Sequence, residues 1–297
     1  TDGAVLRPRY DSWRGITVTH GICPRRGDSD TYEMAVAAVD EAVRAHVALG
    51  GDPDRMAALD NFCWPDPVLS ESTPDGPYKM AQLVRACRGL ADACTAYHLP
   101  LISGKDSMKN DARMGGRKVS IRPTLLVSLI GIVPDVRRSM TTHFTTAGDR
   151  VLHVGPVDGP DGEALSRRFE LYRRLHRAIT RGIVRSVHDI CEGGLAVALA
   201  ECAIGGRLGA RISLEGDSVS ETLFAEPLGS FVVSCAPEHV HELRDILADA
   251  PCRDLGEVAL EPELLVESRD GVVRWLLDEL IDAWKAFGAR QGAETAP

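Results

Sequence analysis

Four short stretches place groups capable of chemistry at the ends of apolar runs. In "LISGKDSMKND" (101–111) an apolar start passes through Gly104 into Lys105, Asp106 and Ser107. A single glycine allows a sharp turn and close approach of a ligand to the backbone, while an ammonium and a hydroxyl can hold a phosphate. A polar turn of the same residue types is the other reading. In "ALDNFCWPDP" (58–67) Asp60 and Asn61 end an apolar run before the stiff Trp64-Pro65. A carboxylate beside a carboxamide suits a nucleotide or a hydrated metal, and equally suits ordinary turn chemistry.

In "SVHDICEGGL" (186–195) His188 and Asp189 close a strand, and Gly193-Gly194 open an apolar helix. The unpaired amides and partial positive charge of a helix N-terminus attract phosphate or a carboxylate-bound metal. In the alternative reading Asp189 caps its own helix region and His188 is packed. The fourth place is Glu41 on a long helix. Asp40 and Arg44 read there as an ordinary i, i+4 surface pair, and Glu41, about 100° further round, reads as solvated.

Alternating strands and helices must position these residues. "GITVTHG" (15–21) reads as a strand and 30–51 as a helix, with Asp30 and Glu33 as a capping box and Gly50-Gly51 as the stop. "MAALDNF" (56–62) is the next strand. A helix then begins near Asp75, with Pro77 in its first turn and a core stripe of Met80, Leu83, Val84, Cys87, Ala91 and Cys94. Strand-rich sequence covers 119–134, and Gly148-Asp149 mark a break, so the domains are expected at 1–147 and 148–297. The second half continues with helices near 162–181, 193–206 and 237–250, strands at 183–189 and 230–236, a strand pair, a C-terminal amphipathic helix and the fraying end "RQGAETAP".

Composition limits what such a chain does. A net charge of −9 over 297 residues argues against nucleic-acid binding, which needs a basic surface, yet permits a nucleotide held through Mg2+. The 44% hydrophobic fraction suffices for two cores. Eight scattered cysteines without a C-x-x-C pair read as reduced thiols, and no apolar run reaches the roughly 20 residues of a membrane span. The cytoplasm is the expected compartment. The opening "TDGAVLRPRYDSW" lacks a methionine and reads as part of something longer.

The ordered series "AVDEAVRAHVALGGDP", "LDNFCWPDP", "YKMAQLVRACRGLADACTAYHLPLISGKDSMKND", "GIVPDV" and "HDICEGGLAVALAE" closely resembles the second half of formylglycinamide ribonucleotide amidotransferase, also called phosphoribosylformylglycinamidine synthase. The resemblance implies a ligase of purine biosynthesis, in which formylglycinamide ribonucleotide, ATP and glutamine-derived ammonia give the amidine, ADP and phosphate. It also implies a two-domain unit like aminoimidazole ribonucleotide synthetase. The first domain is α+β, with a sheet that joins its counterpart in a barrel-like dimer, and the second is α/β. The implied partners are the first half of the synthetase, which carries the family's catalytic histidine, and a glutaminase. A homodimer of the isolated unit is the other way to cover the first domain's sheet.

Residue by residue, the resemblance makes Asp60 and Gly104 contacts to ATP, Ser107 a contact to substrate and Lys105 a direct phosphate contact where smaller relatives carry a metal-binding asparagine. Cys191 stands at the serine of the family's H-D-x-S-[DE]-G-G pattern, a nucleotide-contacting turn. Glu41 and Asp189 match acidic residues that hold Mg2+ at an auxiliary ADP site. Ala45 stands at a family asparagine, and His20 or Gly21 at a family aspartate. The span 153–173 is shorter than usual and lacks the L-G-G-S-like loop. Two readings remain open: a half that lends Asp60, Gly104, Lys105 and Ser107 to an ATP and substrate pocket, or a non-catalytic partner that completes the pseudo-dimer and holds a nucleotide. Another ATP-using relative, such as a selenophosphate synthetase or thiamin-phosphate kinase, lacks the pairing of "LDNFCWPDP" with "SGKDSMKND".

Overall fold

The computed structural model describes residues 2–214, 219–269 and 271–293, with side chains described to residue 286. The last four residues of the tail expected to fray lie outside them. By contact the chain forms two compact units: Asp2–Ser139 with Val157–Arg177, and Met140–Pro156 with Ala178 onward. The junction expected at 147/148 falls inside the segment Met140–Pro156.

The first unit contains β1 (Ala4–Leu6), β2 (Gly15–Ile22), α1 (Thr31–Ala48), β3 (Met56–Cys63), α2 (Gly76–Ala96), β4 (Leu101–Ser107), β5 (Asp111–Met114), β6 (Arg117–Ser120) and β7 (Thr124–Val133). It also holds α3 (Gly162–Arg181) as far as Arg177. Five strands form one sheet in the order β1-β2-β7-β3-β4, in which only β3 and β4 run parallel. Strand alternation divides this sheet into two faces. Met56, Ala58 and Phe62 are buried on the helix-covered face, whereas Val18, Ile22, Leu59 and Ile130, each between 37 and 44% exposed, lie on the open one.

Asp30 caps α1, its carboxylate accepting from the Tyr32 amide at 2.9 Å. The helix is buried nearly all round, packed on β2, β7 and α2. The Asp40–Arg44 pair expected at the surface is therefore fully buried, with Arg44 Nη1 2.6 Å from Asp40 Oδ2. Distant residues supply its other partners. Arg168 Nε lies 3.2 Å from Asp40 Oδ1, and the Tyr97 and Tyr172 hydroxyls each donate to that oxygen at 2.6 Å.

The face of α2 differs from the expected stripe. Ala86, Gly89, Leu90, Ala93 and Cys94 are buried, whereas Met80, Val84, Cys87 and Ala91 are exposed and Leu83 is half-buried. The cause is close helix approach: a Cβ on Gly89 would meet the Tyr32 carbonyl oxygen at 2.4 Å. Small residues therefore face α1, and the larger apolar ones face outward.

The second unit contains β8 (Arg150–Val154), β9 (Val184–Asp189), α4 (Gly194–Gly206), β10 (Gly209–Ser213), α5 (Val219–Phe224) and β11 (Phe231–Cys235). It continues with α6 (Val240–Leu247), β12 (Cys252–Ala259), β13 (Glu263–Ser268), β14 (Gly271–Leu276) and α7 (Leu277–Ala293). Its sheet runs β14-β13-β10-β12-β8-β11-β9, with β10 and β13 the parallel pair and the other neighbours antiparallel. The α/β label expected for this half thus narrows to α+β. Leu195, Leu199, Val232, Leu264 and Ile281 belong to its core.

Candidate functional site at the tips of two parallel strands

Asp60 and Gly104 are register partners on β3 and β4 and point to the helix-covered face. A Cβ on Gly104 would sit 2.7 Å from Asp60 Oδ1, so the missing side chain is the room the carboxylate occupies. Asp60 is half-buried. Burial, reinforced by the neighbouring Asp106 charge, raises its carboxyl above the usual range. Such a group gains from any donor or cation brought beside it. The amino or hydroxyl group of a nucleotide and a hydrated divalent ion are both of that kind.

One residue further along, the pleat turns the other way. Asn61 pairs with Lys105 and Cys63 with Ser107, so these side chains belong to the open face. The four residues expected just past or at strand ends thus lie within two adjacent strands, with only Ser107 terminal, and divide into a helix-side pair, Asp60 with Gly104, and an open-face pair, Lys105 with Ser107. Lys105 is exposed. Ser107 is held by Asn110, whose side-chain nitrogen lies 2.9 Å from Ser107 Oγ, 2.8 Å from the Ser107 carbonyl oxygen and 3.2 Å from Cys63 Sγ. The backbone closes the same corner: Asn110 N–H donates to the Trp64 carbonyl at 3.0 Å and Trp64 N–H to that of Ser107 at 2.8 Å. Sequence reasoning passed over Asn110, although a hydroxyl followed three residues later by an Asn is itself a turn signal.

Below this corner Lys118 bridges two carboxylates, 3.1 Å from Asp66 Oδ2 and 3.2 Å from Asp111 Oδ2. It ties the β5–β6 hairpin to the loop after β3.

Glu41 is half-buried, and its Oε2 already accepts from the Ile22 amide at 2.8 Å and the Cys23 thiol at 3.2 Å. Burial and the Glu41 charge push the Cys23 thiol up, which keeps it a donor. This differs from the solvated side chain expected from spacing alone. A carboxylate remains the donor type Mg2+ takes.

In the second unit Asp189 ends β9 and is 3% exposed, and His188 Nε2 lies 2.8 Å from Glu201 Oε2 on α4. Cys191 is half-buried, and its carbonyl accepts from Gly194 N–H at 3.0 Å, which closes the turn into α4. Gly193 stands at the N-cap with φ of 88°, and its amide donates to Glu226 Oε1 at 2.9 Å. The anion at this helix end is thus a carboxylate of the chain itself.

Comparison with known proteins adds the family context. The model of the AIR synthase related protein N-terminal domain matches residues 1–133, and that of the C-terminal domain residues 160–267. A phosphoribosylformylglycinamidine synthase subunit PurL from Alkaliphilus metalliredigens is 30% identical over 96% of this chain and 40% of its own length. Its counterpart from Synechococcus elongatus is 34% identical over 80% of this chain and 34% of its own length. The chain thus spans well under half of these curated relatives. Among solved structures, Thermotoga maritima PurL complexed with ATP superposes with a TM-score of 0.74 at 18% identity, covering 94% of this chain and 46% of that one. The same protein complexed with FGAR gives 0.74 at 16%, covering 94% and 47%. The hydrogenase maturation protein HypE in complex with ATP gives 0.62 at 15%, covering 93% of this chain and 87% of that one. Among the described residues no helix is long and apolar enough to cross a membrane.

Proposed function

This chain belongs to the AIR synthase related family, and from that premise we propose that it serves as the second half of a PurL-type formylglycinamide ribonucleotide synthetase. In that role residues 1–147 carry the strand-tip site, and 148–297 the His188–Asp189 turn. The observation that carries the reading is a register pairing: Asp60 against Gly104 on one face of the parallel strands β3 and β4, Lys105 with Ser107 on the other. A nucleotide would contact Asp60 and the bare backbone at Gly104 on the helix-covered face, and a substrate phosphate would be held by the Lys105 ammonium and the Ser107 hydroxyl on the open face. Groups of these kinds serve phosphoryl transfer to an amide oxygen, where catalysis is mostly positioning and charge neutralisation.

Mg2+ would neutralise the nucleotide phosphates when bound. Glu41 in the first unit offers an oxygen donor of the kind such an ion takes, and in the second unit Asp189 offers another that, with Cys191, would serve an auxiliary ADP site. The first half of the synthetase would cover the open sheet face, a glutaminase would deliver ammonia, and a homodimer is the form expected when the chain is alone. All eight cysteines are free, in keeping with work in the cytoplasm.

Equilibrium binding of ATP and of ADP, each with Mg2+, to the purified chain tests the nucleotide placement. Loss of ATP affinity in Asp60→Ala is expected for the strand-tip site, and loss of ADP affinity in Asp189→Ala for the auxiliary one. Affinity that survives both changes refutes the assignment.

A second reading makes this half a structural partner that completes the pseudo-dimer. Two observations favour it: Glu41 is already committed to Ile22 and Cys23, and Glu226 occupies the α4 amide. Under it, Lys105→Ala in the assembled enzyme leaves turnover intact.

A further inference from the structure

We propose that Asn110 is a positioning residue that turns the Ser107 hydroxyl proton toward the phosphate oxygen of the incoming substrate. The proposal rests on the reading of Ser107 as a substrate contact.

The orientation of the Asn110 carboxamide follows from its neighbours. The Ser107 carbonyl oxygen only accepts, and it lies 2.8 Å from the side-chain nitrogen, so the NH2 end must face it. That nitrogen is also 2.9 Å from Ser107 Oγ, and the Asn110 Oδ1 is 3.1 Å from the same hydroxyl. Ser107 Oγ therefore has two arrangements. It accepts from the amide and directs its proton outward, or it donates to Oδ1 and keeps its proton inside the corner. A phosphate oxygen is acceptor-only and selects the first arrangement, which the Asn110 donor keeps satisfied. Asn110 thus acts through Ser107.

An isosteric carboxylate reverses this logic. In Asn110→Asp the side chain only accepts, so Ser107 must donate to it and offers lone pairs to the site, beside a new negative charge. The backbone bonds through Trp64 do not involve the Asn110 side chain and hold the corner in either case. The substitution also sets a carboxylate oxygen against the Ser107 carbonyl in place of a donor, so Asn110→Ala, which lacks that repulsion, controls for a change in loop shape.

The test is steady-state kinetics of the assembled synthetase with the phosphate-bearing substrate varied, on Ser107→Ala, Asn110→Asp and the double variant. A hydrogen bond to a charged group corresponds to a roughly tenfold or larger change in an equilibrium constant. We expect KM to rise about tenfold in each single variant, with kcat within about twofold. The double variant, made with Asn110→Ala because that adds no charge, should match Ser107→Ala, because Asn110 has nothing left to orient. If Asn110→Asp leaves KM unchanged while Ser107→Ala raises it, or if the two effects add in full, the positioning role is wrong and the substrate contact stands. If Ser107→Ala itself leaves KM unchanged, the reading of Ser107 falls and this proposal with it. Asn110→Ala removes donor and acceptor without adding charge and substitutes for Asn110→Asp should the latter not fold.

Discussion

Asp60 and Gly104 fit together as side chain and gap: the carboxylate oxygen of one stands 2.7 Å from where a Cβ of the other would be. The contact links adjacent parallel strands within their length, and glycine is required there for space, not for an unusual φ. Gly104→Ala should therefore push the short Asp60 side chain out of place while the strands stay paired. We expect nucleotide affinity to drop as far as in Asp60→Ala, with a stability loss no greater than the roughly 1–3 kcal/mol of overpacking. Calorimetric titration and urea unfolding of Gly104→Ala, Asp60→Ala and the double variant separate the two quantities. A large stability loss without loss of affinity would make the contact structural.

The Asp40 cluster offers a sharper stability test. Burial alone would raise its carboxyl, but Arg44 and Arg168 overcome that and hold it below the usual range. Asp40→Asn would remove the negative charge that the buried Arg44 and Arg168 guanidinium groups share. We expect a loss of about 3–5 kcal/mol, the range for breaking a buried pair on one side. Tyr172→Phe, which removes one donor to the same oxygen, should lose only about 1–2 kcal/mol. Denaturant midpoints at neutral pH distinguish the two.

How much of this was legible in the sequence depends on how far apart the interacting residues lie. Strand and helix positions followed from local periodicity, and Asp30 caps its helix, although its own amide donates to the Arg26 carbonyl where a capping box would use Glu33. The pairing of Asp40 and Arg44 was visible at i, i+4, but its burial depends on Tyr97, Arg168 and Tyr172, up to 132 residues away. Hydrophobic spacing identified α2 as a helix and chose the wrong face, because close packing at Gly89 selects small residues over greasy ones. Asp60, Gly104, Lys105 and Ser107 were read as residues at or just past strand ends, but β3 continues to Cys63 and β4 runs through Ser107, so only Ser107 is terminal. Their division between two faces depends on strand register, where a shift of one residue reverses every side chain. The resemblance implied an α/β second half, and the strand order there is almost wholly antiparallel.

The open face of the first sheet makes a prediction about assembly. Val18 and Ile130 are cross-strand partners on β2 and β7, both more than 40% exposed. An ammonium at either place would be desolvated by any covering sheet. If the chain assembles as proposed, Val18→Lys and Ile130→Lys should each abolish dimerisation of the isolated chain and binding to a first synthetase half, measured by sedimentation velocity. The Thr17 side of β2 is already buried, so the folded unit itself should survive. Unchanged association would place the partner on another surface.

His46 sets a pH dependence for the first unit. Its ring is wholly buried on α1, with Nδ1 against the Thr17 hydroxyl and Nε2 3.0 Å from the Asp52 carbonyl oxygen. Burial, aided by the nearby His176, lowers its pKa to about 4. In the unfolded chain a histidine titrates near 6.5. Between those values the unfolded chain binds the proton and the folded one does not. The stabilisation from keeping this ring neutral is thus complete above pH of about 6.5 and is lost as the pH falls toward about 4, on the order of 3 kcal/mol in all. Urea unfolding between pH 7.5 and 4.5 should show this decline. The His46 imidazole resonances should still report the neutral ring at pH of about 5, where an exposed histidine is charged. A ring that titrates near 6.5 in the folded protein would mean that water reaches it and that α1 is packed less tightly than described.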